Sequence, residues 1–235
     1  MFVISIAGIN IGIDNRYPFV KQHCRDFITD AEPEFCVSVT DGQIERERAC
    51  SEHSFDNGYL ESVCIYREIA MQLPSYDAFL MHAAVVRFED NAYAFSAKSG
   101  TGKTTHIKLW RRTLGEGLTV INGDKPVLRY FDGKLFACGT PWGGKEGLYS
   151  NSMAPLKSIC FIARGADNRI ERLSAAQALG LVAHQILIPK DKDCAGKTLD
   201  MISRMIGEIP IYRLYCNISE EAARLSYDTM SKGLQ

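Results

Sequence analysis

One segment constrains this chain more than any other: residues 94–110, AFSAKSGTGKTTHIKLW. It joins a strand-like apolar lead to an amphipathic helical run through a glycine-bearing turn. A phosphate chain carries several negative charges, and a turn surrounds it with inward backbone N–H groups only where side chains do not intrude. Gly100 and Gly102 meet that need. Lys103 adds an ammonium for the terminal phosphates and Thr104 a hydroxyl for Mg²⁺, while the helix starting there aims its positive end at the same place. The expected cradle for ATP and its Mg²⁺ is therefore Ser99, Gly100, Thr101, Gly102, Lys103, Thr104 and Thr105. Ala97 departs from the usual pattern of such loops, which has glycine there; a methyl group is tolerated if φ is negative. The plainer alternative is a glycine-rich strand-to-helix turn with an exposed lysine.

The segments around this turn define the fold class. Upstream, FVISIAGINIGI reads as a strand pair, PFVKQHCRDFI as a helix begun by Pro18, and FCVSVT as a strand. The polar stretch DGQIERERACSEHSFDNG reads as a mobile connection, and YLESVCIYREIAMQL as a helix stopped by Pro74. AFLMHAAVVRF and NAYAFSA form a hairpin that leads into the turn. Beyond it come a helix (GKTTHIKLWRRTL), a strand (LTVIN) and a hairpin (PVLRYFDGKLFACG) with the turn signal Asp-Gly. PLKSICFIARG and RIERLS read as strands, followed by two helices, the strand IYRLYC and a last helix. Strands interleaved with helices imply an α/β fold: a mixed sheet, containing the phosphate loop, with flanking helices. The expected division is an N-terminal α+β segment, 1–76, packed on a core of 77–235.

A second chemical element is LTVINGDKPV, an apolar strand delivering Asp124 to the carboxyl edge of the sheet, where ligands of such sheets gather. Asp124 is a candidate general base and Mg²⁺ ligand; the alternative is an ordinary turn aspartate after glycine. Downstream, GTPWGGKEGLYSN carries Lys145 and Glu146. Facing the nucleotide, Lys145 would neutralise transition-state charge and Glu146 would hold metal or acceptor. The same residues suit a long surface turn between strands equally well.

Composition excludes several classes. With 27 basic and 28 acidic residues the net charge is -1, so no overall field draws the chain to nucleic acid or an anionic membrane. No apolar run approaches the roughly 20 residues of a membrane helix, and the first residues lack a basic leader. The eight cysteines are scattered without metal-ligand spacing, which reads as reduced thiols in a cytoplasmic protein. Trp110, if exposed, and the tyrosine-rich tail are candidates for a homo-oligomer interface.

Taken together, SGTGKTTH, the strand end INGD and a histidine in LMHAAVV resemble the HPr kinase/phosphorylase family, whose fold and phosphate loop are shared with ATP-dependent phosphoenolpyruvate carboxykinases. The resemblance covers residues 77–164 well and the tail loosely. It is nearer to short HPr-kinase-like proteins, some encoded beside peptide-modification systems, than to the bifunctional enzymes. It implies Mg²⁺-ATP at the loop and phosphoryl transfer to a serine hydroxyl of a small protein, a precursor peptide or a small molecule. It also implies catalytic roles for Asp124, Lys103 and His82, the last matching the family's histidine before the loop; a histidine satisfied inside the sheet is the alternative. The family has two adjacent aspartates where this chain has Gly123 and Asp124, which leaves open a non-catalytic ATP-binding regulatory module. A carboxykinase is disfavoured by the short chain and the lack of an arginine cluster for a dicarboxylate.

Overall fold

The computed structural model describes residues 1–51, 53–98 and 100–232, so Ser99 of the expected cradle lies outside the described residues. Alternating apolar positions in β1 (Phe2–Ile6) and β2 (Ile9–Asp14) turn Ile4, Ile6, Ile9, Ile11 and Ile13 fully inward. With β3 (Ile28–Thr29) and β4 (Phe35–Ser38) they form a sheet of order β3-β1-β2-β4. Pro18 occupies the first turn of α1 (Pro18–His23), where its missing N–H costs nothing.

The polar stretch after β4 is not a connection. Asp41–Cys50 forms α2, and Thr40 and Gln43 make a reciprocal capping box at its start. Only Ile44 of this helix is buried, so no apolar stripe marks it in the sequence. Helix α3 (Asn57–Gln72) is capped by Asp56, whose carboxylate accepts the Tyr59 N–H at 2.9 Å, and it ends just before Pro74.

The apolar run AFLMHAAVVRF is two strands rather than one: β5 (Ala78–Leu80) and β6 (Ala84–Phe88). Between them the backbone is drawn away by other partners. Met81 N–H donates to Pro126 O, His82 N–H to Gln185 O and Ala83 N–H to Asp124 O, at 3.1, 2.7 and 3.1 Å. Then follow β7 (Asn91–Ser96), α4 (Lys103–Leu114), β8 (Thr119–Asn122), β9 (Val127–Phe131) and β10 (Lys134–Cys138). The chain closes with β11 (Met153–Arg164), β12 (Arg169–Arg172), α5 (Ala175–Ala183), α6 (Lys192–Glu208), β13 (Ile211–Cys216) and α7 (Glu220–Lys232).

The large sheet runs β5-β9-β10-β11-β7-β6-β8, with β13 also on β11 and β12 on β13. It is mixed: β11 is parallel to β7 and β13, whereas β6 is antiparallel to both β7 and β8. β11 is covered on both faces, which explains its continuous apolar stretch. One face packs on α5 and α6 through Ala178, Val182, Met201, Ile202 and Met205. The other packs on α4 and α7 through Ile107, Trp110, Ala223 and Met230.

Trp110 is therefore no surface residue: it is 0% exposed, and its indole N–H donates to Ser226 Oγ at 2.7 Å. The smaller sheet and α3 share a hydrophobic cluster with Leu80, Val127, Cys138 and Trp142 of the larger part. All eight cysteines are free thiols, and no helix among the described residues is long and apolar enough to cross a membrane.

Candidate active site

The neighbours β7, β6 and β8 create the site by their directions. β6 runs antiparallel to both flanking strands. The carboxyl ends of β7 and β8 and the amino end of β6 therefore meet at one sheet edge. Ser96 at the end of β7 leads into the glycine turn, Asn122 at the end of β8 leads into Gly123 and Asp124, and His82 precedes β6. The register pairs Ala84 with Phe95 and Val85 with Asn122, so residues far apart in sequence arrive together.

His82 is the centre of the resulting cluster. Its Nε2 lies 3.0 Å from Lys103 Nζ and 3.0 Å from Asp124 Oδ1. A protonated Nε2 donates to the carboxylate; an unprotonated one accepts from the ammonium. A single proton on this nitrogen thus decides which neighbour it holds. Ser96 Oγ, fully buried with its residue, donates to the His82 carbonyl at 3.0 Å and fixes the backbone of this segment.

Asp124 is held from several sides. Its Oδ2 accepts from Lys125 Nζ at 2.9 Å. Burial by itself would raise its carboxyl, but the hydrogen bond from His82 and the adjacent Lys125 charge outweigh burial and hold it at about 2. The turn beneath is built by Asn122, whose side-chain oxygen accepts the N–H groups of Asp124 and Lys125 at 2.8 and 2.7 Å. Its amide nitrogen donates to Thr140 O and Oγ1 at 2.9 and 3.0 Å. Lys125, Asn122 and Thr140 were not among the sequence-derived candidates; an amide two residues before the aspartate in INGD is the signal of this Asx-type turn.

Lys103 opens α4. Burial lowers its ammonium's pKa, opposed by the Asp124 charge and reinforced by Lys125. Gly100 and Gly102 have φ of 75° and 123°, the region that favours glycine, and a Cβ built on either meets nothing within 4 Å. The lack of side chains thus leaves open space at the turn. Gly102 caps α4 without a side-chain bond, whereas Thr40, Asp56, Ser174 and Asp191 cap α2, α3, α5 and α6. Among the described residues no side chain caps the first N–H groups of α4. Thr101 N–H closes the turn on Lys98 O at 3.1 Å, and Arg164 Nη2 anchors it by donating to Gly100 O at 2.8 Å. The Thr104 and Thr105 hydroxyls make no hydrogen bond among the described residues.

The glycine-rich segment after β10 closes against Asp124. A Cβ on Gly144 would lie 2.9 Å from Asp124 Cβ, and one on Gly139 would overlap Ser150 O at 1.8 Å. Gly139, Gly143 and Gly144 therefore serve close packing, whereas a Cβ on Gly147 would meet nothing within 4 Å. Trp142 is buried and its indole N–H donates to Ser62 Oγ of α3 at 2.9 Å, pinning the loop to the N-terminal part. Glu146 pairs with Lys108 Nζ on α4 at 2.9 Å, and Lys145 is exposed without an ion pair among the described residues. Neither makes a hydrogen bond or ion pair with Lys103, His82 or Asp124 among the described residues.

His106 belongs to the core. Its Nε2 lies 2.9 Å from Ser226 Oγ, and burial lowers its imidazole to about 4. Among the described residues no three His, Cys, Asp or Glu side chains gather as a metal cage. Mg²⁺ normally takes one or two protein ligands beside substrate phosphates, a set that Asp124 and Thr104 fit.

No protein-family model and no curated protein matches the sequence. Among solved structures, the chain is similar to an Hpr(Ser) kinase/phosphatase from Coxiella burnetii at 10% identity and a TM-score of 0.36, over 65% of this chain and 91% of that one. So distant a likeness carries no statement about this site, which rests on its own geometry.

Proposed function

We propose that this chain is a Mg²⁺-ATP-dependent phosphotransferase, with the turn 99–105 as its phosphate cradle. The supporting observation is the chain of contacts Lys103 Nζ–His82 Nε2–Asp124 Oδ1, each 3.0 Å, beside an uncapped helix start with two open positive-φ glycines. A half-buried ammonium, a helix start without a side-chain cap and an ionised carboxylate are the parts that phosphoryl transfer needs, since the protein's share of that chemistry is positioning and charge neutralisation. When bound, Mg²⁺ supplies Lewis-acid neutralisation of phosphate oxygens.

Asp124, ionised throughout the neutral range, accepts the hydrogen bond of an acceptor hydroxyl and orients it. His82 holds Asp124 in place by donating its Nε2–H to Oδ1, and Asp124 takes up the hydroxyl proton as the phosphoryl group is transferred. Lys103 turns from His82 to the terminal phosphate, which leaves the His82–Asp124 bond as the sole claim on that nitrogen. The acceptor in this reading is a hydroxyl, serine first, on a small protein, a precursor peptide or a small molecule. Residues 1–76 buttress the loop that carries Trp142, and 77–235 carry the chemistry.

Labelled γ-phosphate transfer from ATP to candidate acceptors tests this. The wild type transfers, whereas Asp124→Asn binds ATP and transfers about 10²–10⁴-fold more slowly; equal rates overturn the assignment.

One observation favours a second reading, a non-catalytic nucleotide-binding module: Gly123 leaves a single carboxylate in the turn, and a Cβ there would lie 2.6 Å from Gly143 O. Tight ATP binding without transfer to any acceptor would establish it.

A further inference from the structure

On the exposed side of α4, Thr105, Lys108 and Arg112 recur at helical spacing, with Arg111 beside them. The stripe starts at the phosphate cradle and extends about 10 Å along the helix. Lys108, Arg111 and Arg112 line a surface depression of about 520 Å³. In a chain of net charge -1 this is a local concentration of positive charge, and Arg111 and Arg112 have no ion pair among the described residues. The nearest acid in sequence, Glu116, lies beyond Gly115 and pairs with neither. A helix C-terminus favours cations, and the stems of Lys108, Arg111 and Arg112 form the walls of this shallow depression.

The occupant's chemistry is indicated by the one acid that pairs with the stripe among the described residues. Glu146 extends from the segment packed over Asp124 and puts its carboxylate 2.9 Å from Lys108 Nζ, with the two side chains 45% and 64% exposed. A carboxylate on a flexible side chain, exposed and easily displaced, is what an acidic polypeptide would substitute. Its attachment to the Gly144 side of the site places that exchange next to the reacting groups.

We propose that the Lys108–Arg111–Arg112 stripe docks an acidic peptide segment of the phospho-acceptor, and that Glu146 is the internal stand-in which that segment displaces. This deepens the phosphotransferase reading, on which it rests, by naming the acceptor as a polypeptide with acidic residues beside its hydroxyl. Nucleic acid would meet the same cations, but the group that Lys108 already pairs with is a carboxylate.

The experiment is equilibrium binding of fluorescein-labelled poly-glutamate to the full chain, without nucleotide, by anisotropy at two salt concentrations. The wild type binds, more weakly at higher salt. Arg111→Gln/Arg112→Gln, both exposed, binds about tenfold more weakly, while Glu146→Gln binds several-fold more tightly because Lys108 is released. Circular dichroism confirms that both variants fold. Absence of binding, equal binding by all three proteins, or oligo-uridine RNA bound more tightly than poly-glutamate overturns the proposal. Labelled-phosphate transfer is measured separately, so failure of the docking surface and failure of the phosphotransferase reading are distinguished.

Discussion

The carbonyl oxygen of Gly143 stands where a side chain on Gly123 would begin: a Cβ built at residue 123 lies 2.6 Å from it, and 3.2 Å from Leu148 O. Both obstacles are backbone, so neither can swing aside. The chain therefore has glycine beside Asp124 because the segment after β10 is folded down onto that turn. Gly123→Asp, which would install a second carboxylate, is expected to cost about 1–3 kcal/mol through overpacking and to give no faster transfer. Urea unfolding read beside the transfer rate checks this; a stable, faster variant would contradict it.

Acid stability should carry the mark of Asp124. Its folded pKa is depressed from 3.8 to about 2, so the unfolded chain takes up the proton first as pH falls. The stabilisation is complete above 3.8 and is lost as pH falls through about 2. Asp124→Asn should flatten the unfolding free energy across that window and leave the curve above it parallel to wild type. Denaturant titrations from pH 2 to 5 report the slopes.

A separate window belongs to His106. Burial depresses its pKa from 6.5 to about 4, so the neutral ring stabilises the fold above 6.5 and that contribution is lost as pH falls through 4. His23, also lowered chiefly by burial, acts in the same sense. His106→Gln should reduce the slope between those values without altering the Asp124 window.

Ser226 joins α7 to α4. Its hydroxyl donates to Ala223 O and accepts from Trp110 Nε1, with His106 Nε2 at 2.9 Å, all in a buried setting. Ser226→Ala strands two buried ring nitrogens and is expected to cost about 1–3 kcal/mol. Chemical unfolding measures the loss; a change below a few tenths would mean the three groups do not act together.

Helix α2 rests on its cap. Thr40→Ala removes one side of the capping box with Gln43 and should destabilise by about 1 kcal/mol, while Thr40→Ser should restore most of it. Hydrogen exchange across 41–50 localises the effect to this helix.

What could be read from the residues alone was local. Strand alternation in FVISI, the Asp-Gly hairpin, the glycine-lysine turn between strand and helix, and the helix ended by Pro74 all carry their cause within a few positions. Helix α2 escaped because one buried residue leaves no periodic stripe. Trp110 is apolar enough for either core or interface, and only the packing of α7 on α4 decided for the core. The break at His82 depends on carbonyls of Asp124, Pro126 and Gln185, the last of them about a hundred positions away. Likewise the grouping of His82, Lys103 and Asp124 follows from the order and directions of β7, β6 and β8. The residue types suited to the chemistry were thus present in the sequence, because side-chain chemistry is a property of each residue. Their distances were decided by the tertiary structure, because strand pairing brings together what the chain keeps apart.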